Sequence, residues 1–284
     1  MENEHHHLEK APKAYDNKSF IHSKDGRMMR IMAEYLHPLS HFKRNFIHSS
    51  IIFFGSARIP SKELFEKHTE DLLELLAEAN TDTAYAEVEE RLKEHKAKEP
   101  IVRYYDDAVE LAKLITEWSN KLPKKYRYGI CTGGGPGIME AANRGAQMAG
   151  GRSIGLNISL PFEQYPNNFI DEDLNFEFHY FFMRKFWFVY LAEALIAFPG
   201  GFGTLDELME ILTLLQTRKV TREIPVLLYG EEFWKKLINF DYLIEMGLIS
   251  KKDLNLFKFV NTPEEAFTYI RDTLTSYLKL PKVD

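Results

Sequence analysis

Twice in this chain a short apolar run ends in a cluster of glycines and passes straight into a helix-patterned segment. Tyr128-Gly129-Ile130-Cys131-Thr132 leads into Gly133-Gly134-Gly135-Pro136-Gly137, and Ile138-Met139-Glu140-Ala141-Ala142-Asn143-Arg144-Gly145-Ala146 follows. Ala194-Leu195-Ile196-Ala197-Phe198 leads into Pro199-Gly200-Gly201-Phe202-Gly203-Thr204-Leu205-Asp206-Glu207, where a helix is expected from Thr204. Around these two units the same alternation predicts strands at residues 50–54, 153–157, 225–229 and 256–260. Helices are predicted at 107–118, 184–193, 204–216, 231–239 and from Thr262 to about Tyr277. Strands alternating with helices imply an α/β chain with a doubly wound parallel sheet and helices on both faces. In such a sheet ligands gather beyond the carboxyl ends of the strands, so both glycine turns can line one crevice.

The second turn carries the more specific chemistry. Glycines at 200, 201 and 203 let backbone N–H groups approach a ligand unobstructed, and the following helix points its positive end at the same spot, which suits an anion such as phosphate. Glu207 stands about one turn into that helix. Gly55-Ser56-Ala57-Arg58 forms a third small-residue turn after the run Ser50-Ile51-Ile52-Phe53-Phe54. Gly133, Gly134, Gly135 and Gly137, with Gly55 and Ser56, are therefore candidate ligand contacts beside the Pro199 turn.

Composition removes several classes. With 36 Lys and Arg against 42 Asp and Glu, the net charge is −6 and no basic block offers the phosphate contacts of a nucleic-acid polymer. A single cysteine, Cys131, excludes a disulfide framework and fits a reducing compartment, so a cytoplasmic location is expected. No apolar run approaches the roughly 20 residues that span a bilayer, so a soluble protein with no membrane partner is expected. The ten histidines show no ligand spacing, and His5-His6-His7 in a polar terminus lacks a fixed second shell, so no metal site is expected. Residues 1–49 read as an N-terminal extension with a short helix near 27–36. Residues 61–100, rich in Glu, Lys, Leu and Ala, read as a charged helical insert.

Arg184-Lys185, the Pro199 to Glu207 motif and Gly133-Gly134-Gly135-Pro136-Gly137-Ile138-Met139-Glu140 together closely resemble the LONELY GUY (LOG) family, over roughly residues 50–275 apart from the insert. The resemblance implies a Rossmann-like fold and hydrolysis of the N-glycosidic bond of a purine nucleoside 5′-monophosphate, either AMP or a cytokinin-type nucleotide. The products would be free base and ribose 5-phosphate, with no cofactor required and a homodimer as the assembly. By the same resemblance Arg184 and Glu207 match catalytic positions, while Lys185, Gly201, Phe202, Gly203, Thr204, Leu205, Asp206 and Thr213 match nucleotide-contacting ones. Family members have also carried a lysine decarboxylase label, yet this sequence shows no lysine set in a recognisable pyridoxal-phosphate site. Short plant-type members have His-Glu before their Arg-Lys, where this chain has Phe182-Met183.

Plainer readings stand beside these. Thr204-Leu205-Asp206-Glu207 also fits a capping box, which would make Glu207 a helix cap. Glu140 can touch a ribose or simply favour a helix N-terminus. Cys131 reads as a packed strand residue. The aromatic runs Tyr180-Phe181-Phe182 and Phe186-Trp187-Phe188 can clamp a base, or serve as core or dimer interface. A nucleotide-binding carrier or sensor without turnover is the alternative function, and an interaction scaffold built on the 61–100 insert is a third.

Overall fold

The computed structural model describes residues 10–160 and 165–279; the histidines at 5–7 lie outside them. Seven strands form one sheet: β1 (Ser49–Phe54), β2 (Tyr128–Thr132), β3 (Ser153–Ile158), β4 (Asn175–Phe178), β5 (Ala192–Ala197), β6 (Val226–Tyr229) and β7 (Phe257–Val260). Their order is β4-β3-β2-β1-β5-β6-β7, and every pairing is parallel. The doubly wound α/β fold predicted from the alternation is the fold observed. The chain winds outward from β1 through β2, β3 and β4, then returns to the other side of β1 with β5. The switch point lies between β1 and β5, whose carboxyl ends carry the Gly55 and Pro199 turns.

The helices are α1 (Lys18–Ile21), α2 (Arg27–Arg44), α3 (Lys62–Glu78), α4 (Asp82–Lys96), α5 (Glu99–Lys121), α6 (Ile138–Met148), α7 (Phe181–Leu191), α8 (Phe202–Gln216), α9 (Glu231–Leu237), α10 (Phe240–Glu245) and α11 (Pro263–Tyr277). Side chains alternate across the buried strands. Ile51 and Phe53 of β1 join the core beneath α5, α6 and α11. Ile52 and Phe54 join the core beneath α2, α7, α8 and α9. No helix among the described residues is long and apolar enough to cross a membrane.

Several boundaries differ from the sequence reading for identifiable reasons. The helix near 27–36 continues to Arg44, passing through Pro38. The helix expected at 107–118 spans Glu99–Lys121, because Pro100 sits in its first turn, where a missing N–H costs nothing. The helix expected from Arg184 begins at Phe181. The final helix is capped by Thr262, whose hydroxyl accepts from the Glu265 N–H at 3.2 Å; the Glu265 carboxylate accepts from the Asn261 N–H, one residue earlier than a capping box requires. Cys131 is buried in β2, and burial pushes its thiol pKa up.

Candidate active site

The three turns meet through Ser56. Its N–H donates to the Pro199 carbonyl at 3.0 Å, and its carbonyl accepts from the Ile138 N–H at 3.1 Å. Gly137 makes this approach feasible: its φ is 70°, and a Cβ there would stand 2.4 Å from the Ser56 oxygen. A cleft of 660 Å³ opens beside the joined turns, over the carboxyl ends of β1 and β5. A wider, more open depression beside α11 is lined by Glu223, Glu264, Glu265 and Asp272 against the lone cation Lys258, a setting that repels anions.

Helix α8 supplies the floor of the cleft. Gly201 is its N-cap, so the expected start at Thr204 moves to Phe202, and Thr204 becomes the third helical residue. The capping-box reading of Glu207 is corrected with it: an N-cap glycine has no side chain to cap with, and Glu207 lies too far along to reach back. The first intrahelical bond runs from the Leu205 N–H to the Gly201 carbonyl at 3.0 Å. The N–H groups of Phe202, Gly203 and Thr204 have no hydrogen-bond partner among the described residues and form the positive end of the helix. Added Cβ atoms at Gly201 and Gly203 would meet nothing within 4 Å, so this end is open to a ligand. Phe202 at the rim is 92% exposed.

Glu207 is 7% exposed because it shares the buried stripe of α8 with Thr204, Leu208 and Ile211. Its carboxylate lies 3.6 Å from the Arg184 guanidinium and 3.2 Å from the Lys185 ammonium. Burial pushes the carboxyl above its ordinary pKa, and the two cations hold it back. Burial also lowers the Arg184 pKa, against the pull of Glu207 and Asp206. The guanidinium is flanked by the rings of Phe181 and Phe188, at 5.4 and 5.6 Å. Its Nε–H is buried without a hydrogen-bond partner, a deficit of about 1–3 kcal/mol that a ligand's acceptor would relieve.

Lys185 turns away from the cleft into a nest of carboxylates: Glu210 at 2.8 Å, Asp206 at 2.9 Å and Glu207. Burial opposes its charge, but hydrogen bonds to Glu210 and Asp206 outweigh burial and raise its pKa. A Schiff base needs a neutral amine. The residues here therefore do not fit a pyridoxal-phosphate site.

The structure gathers Gly55, Ser56, Gly133, Arg184, Gly201, Phe202, Gly203, Thr204 and Glu207 around the cleft. Gly134, Gly135, Gly137 and Glu140 do not line it. Asn167 donates to the carbonyls of Gly134 and Gly135, and Glu140 accepts from the Tyr105 hydroxyl at 2.7 Å. Nor do Leu205, Asp206 or Thr213 line it; Thr213 is exposed farther along α8, its hydroxyl donating to the Met209 carbonyl. Sequence reasoning left Arg58 and Asn157 out of the candidate set, yet both line the cleft. Arg58 is exposed and has no ion-pair partner among the described residues. Its position in the Gly55 turn was the available signal, whereas Asn157, at the end of β3, gave none.

A family model described as "Possible lysine decarboxylase" matches residues 139–270. A "Probable cytokinin riboside 5′-monophosphate phosphoribohydrolase" of Oryza sativa subsp. japonica is 28% identical over 169 residues, covering 57% of this chain and 63% of that protein. A "Cytokinin riboside 5′-monophosphate phosphoribohydrolase" of Arabidopsis thaliana is 29% identical, covering 52% of this chain and 65% of the relative. The "Pyrimidine/purine nucleotide 5′-monophosphate nucleosidase" of Escherichia coli (strain K12) is 34% identical over 115 residues, 36% of this chain and 24% of the relative. The LOG-family resemblance holds. The chain spans less than two thirds of the length of each of these three relatives. Among solved structures, a Moco carrier protein from Chlamydomonas reinhardtii aligns at 18% identity and a TM-score of 0.44, over 80% of this chain and 99% of that one.

Proposed function

We propose that this protein is an N-glycosidase that hydrolyses a purine nucleoside 5′-monophosphate, AMP or a cytokinin-type nucleotide, to free base and ribose 5-phosphate. The observation that carries the reading is the juxtaposition of an open helix N-terminus with a buried carboxylate on the same helix, Glu207, facing Arg184. The names of the three relatives, two phosphoribohydrolases and a nucleosidase, support the same reaction class. Cleaving a ribosyl C–N bond develops positive charge on the sugar. Glu207 stabilises that charge and polarises the attacking water, while the N–H groups at the start of α8 hold the 5′-phosphate and so place the reacting carbon. Arg184 either grips phosphate or assists the departing base. A monophosphate such as AMP is favoured over a di- or triphosphate, because beside one open helix terminus the cleft is lined by only two cations among the described residues, Arg58 and Arg184.

The reading extends to the chain's organisation and setting. Residues 50–284 form the site-bearing domain, with 1–49 as an extension and 61–100 as an insert. The protein acts in the cytoplasm as a homodimer, the exposed aromatic side of α7 supplying an apolar contact surface. The test is incubation with AMP, a cytokinin-type nucleotide, GMP, IMP and adenosine, followed by chromatography for free base. Base release from a monophosphate, inhibited by inorganic phosphate and much weaker with adenosine, is expected. Adenosine cleaved as well as AMP would overturn the phosphate anchor. Nucleotide binding with no base release would leave a carrier or sensor.

A further inference from the structure

The N-terminal helix α2 is bonded to the helix that bears Arg184. The Glu34 carboxylate accepts from the N–H of His179 at 2.9 Å and of Tyr180 at 3.3 Å, immediately before α7. Tyr180 is the N-cap of α7 and makes no side-chain cap of its own, so Glu34 serves that end of the helix from outside. The Tyr180 carbonyl in turn accepts from the Arg184 N–H at 3.3 Å. One residue thus separates the Glu34 carboxylate from the backbone of Arg184.

A second bond fixes α7 beyond Arg184. Pro38 lies inside α2 and has no N–H to give the carbonyl four residues back, which belongs to Glu34. That carbonyl accepts instead from the Trp187 indole N–H at 3.0 Å. Tyr35 stacks on Trp187 with ring centroids 5.6 Å apart, and Phe42 meets the same ring at 5.2 Å. Glu34 therefore grips α7 on both sides of Arg184, through its side chain at 179–180 and through its carbonyl at 187.

We propose that Glu34 is a positioning residue for the cleft: acting through α7, it sets the Arg184 guanidinium against Glu207. The inference rests on the proposed hydrolysis for its kinetic readout, but the geometry it describes can be tested without turnover. A shift of about 1 Å in a catalytic group can cost on the order of 100-fold in rate. Glu34→Ala, in the full chain, should therefore lower kcat for AMP by at least about 10-fold with a much smaller change in KM. Glu34→Gln keeps one acceptor oxygen and should recover part of that loss. Leu274→Ala, in the opposite core, is the control for lost stability: it should lower the melting temperature and leave kcat unchanged at a temperature where it is folded.

Amide exchange across residues 179–187, followed by mass spectrometry, gives the second readout. Faster exchange there in Glu34→Ala, absent in Leu274→Ala, is expected whether or not the protein hydrolyses AMP. If wild type releases no base, the functional reading falls and the exchange result alone decides the role of Glu34 in holding α7. Exchange at 179–187 matching wild type, or a kcat loss no larger than in the stability control, overturns the inference.

Discussion

A carboxylate on the buried stripe of a helix is costly, and at Glu207 that cost has a definite pH dependence. Burial raises its folded-state pKa above the ordinary glutamate value of about 4.3, with Lys185 and Arg184 limiting the rise. A raised folded pKa means that the folded chain binds the proton more tightly than the unfolded chain. The associated stability is complete below the unfolded pKa and is lost as pH rises through the folded one. The proposed catalytic form is the carboxylate, so turnover should move the opposite way, falling as pH drops through the same folded pKa. Glu207→Gln removes both effects. Turnover should fall by about 100-fold or more, and the melting temperature of the variant relative to wild type should rise as pH climbs through the raised folded pKa of Glu207. Wild-type turnover in the variant would sink the catalytic role, and a melting difference independent of pH would sink the burial argument. From the Thr204 to Glu207 motif alone, Glu207 stands evenly between cap and catalyst, and the LOG resemblance favours the catalyst. The stripe of Thr204, Leu208 and Ile211 was a readable signal that favoured neither cap nor solvent, since a carboxylate in that register must be buried.

The elements were legible where local pattern decides them and obscure where a distant partner does. β1, β2 and β5 are apolar runs closed by glycine turns, and all three were placed to within about two residues, an error typical of such boundaries. The start of α7 was missed by three residues because its capping group is Glu34, remote in sequence. The Gly133 to Gly137 turn reads as a ligand site, but only Gly133 of its glycines lines the cleft, and the carbonyls of Gly134 and Gly135 are occupied by Asn167, on a loop that no local pattern connects to it. Helix α8 is the element that separates stability from binding. Gly203 is its second residue, and an added Cβ there meets no atom within 4 Å. Gly203→Ala should therefore melt at or above the wild-type temperature, since alanine is the better helix former by about 0.5–1 kcal/mol. The methyl group would crowd the space proposed for the phosphate. KM for AMP should rise several-fold while the weak cleavage of adenosine is unchanged. An unaltered KM would move the phosphate away from this helix terminus.

At the scale of the molecule, sheet order puts the cleft at the switch between β1 and β5, and α7 passes beside it with two different faces. Met183, Trp187 and Leu191 are buried beneath the helix, whereas Phe182, Phe186 and Tyr190, four residues apart, form an exposed aromatic stripe. Tyr35 ties this stripe to α2, whose Met29, Met32 and Leu36 are exposed as well. A two-fold axis would lay the stripe of one copy against that of another, which is the self-complementary geometry of an isologous dimer. Because Arg184 lies between Phe182 and Phe186 in the same helix, such an interface would border both clefts. Tyr190→Glu tests this at the end of the stripe farthest from Arg184, where an unpaired charge buried between two copies is strongly unfavourable. Light scattering should give twice the chain mass for wild type and the single mass for Tyr190→Glu. If each cleft needs its partner's surface, base release should fall with dissociation and recover as protein concentration drives the variant back to dimers. A monomeric wild type with full turnover would overturn the dimer, and a dimeric Tyr190→Glu would move the interface off this face of α7.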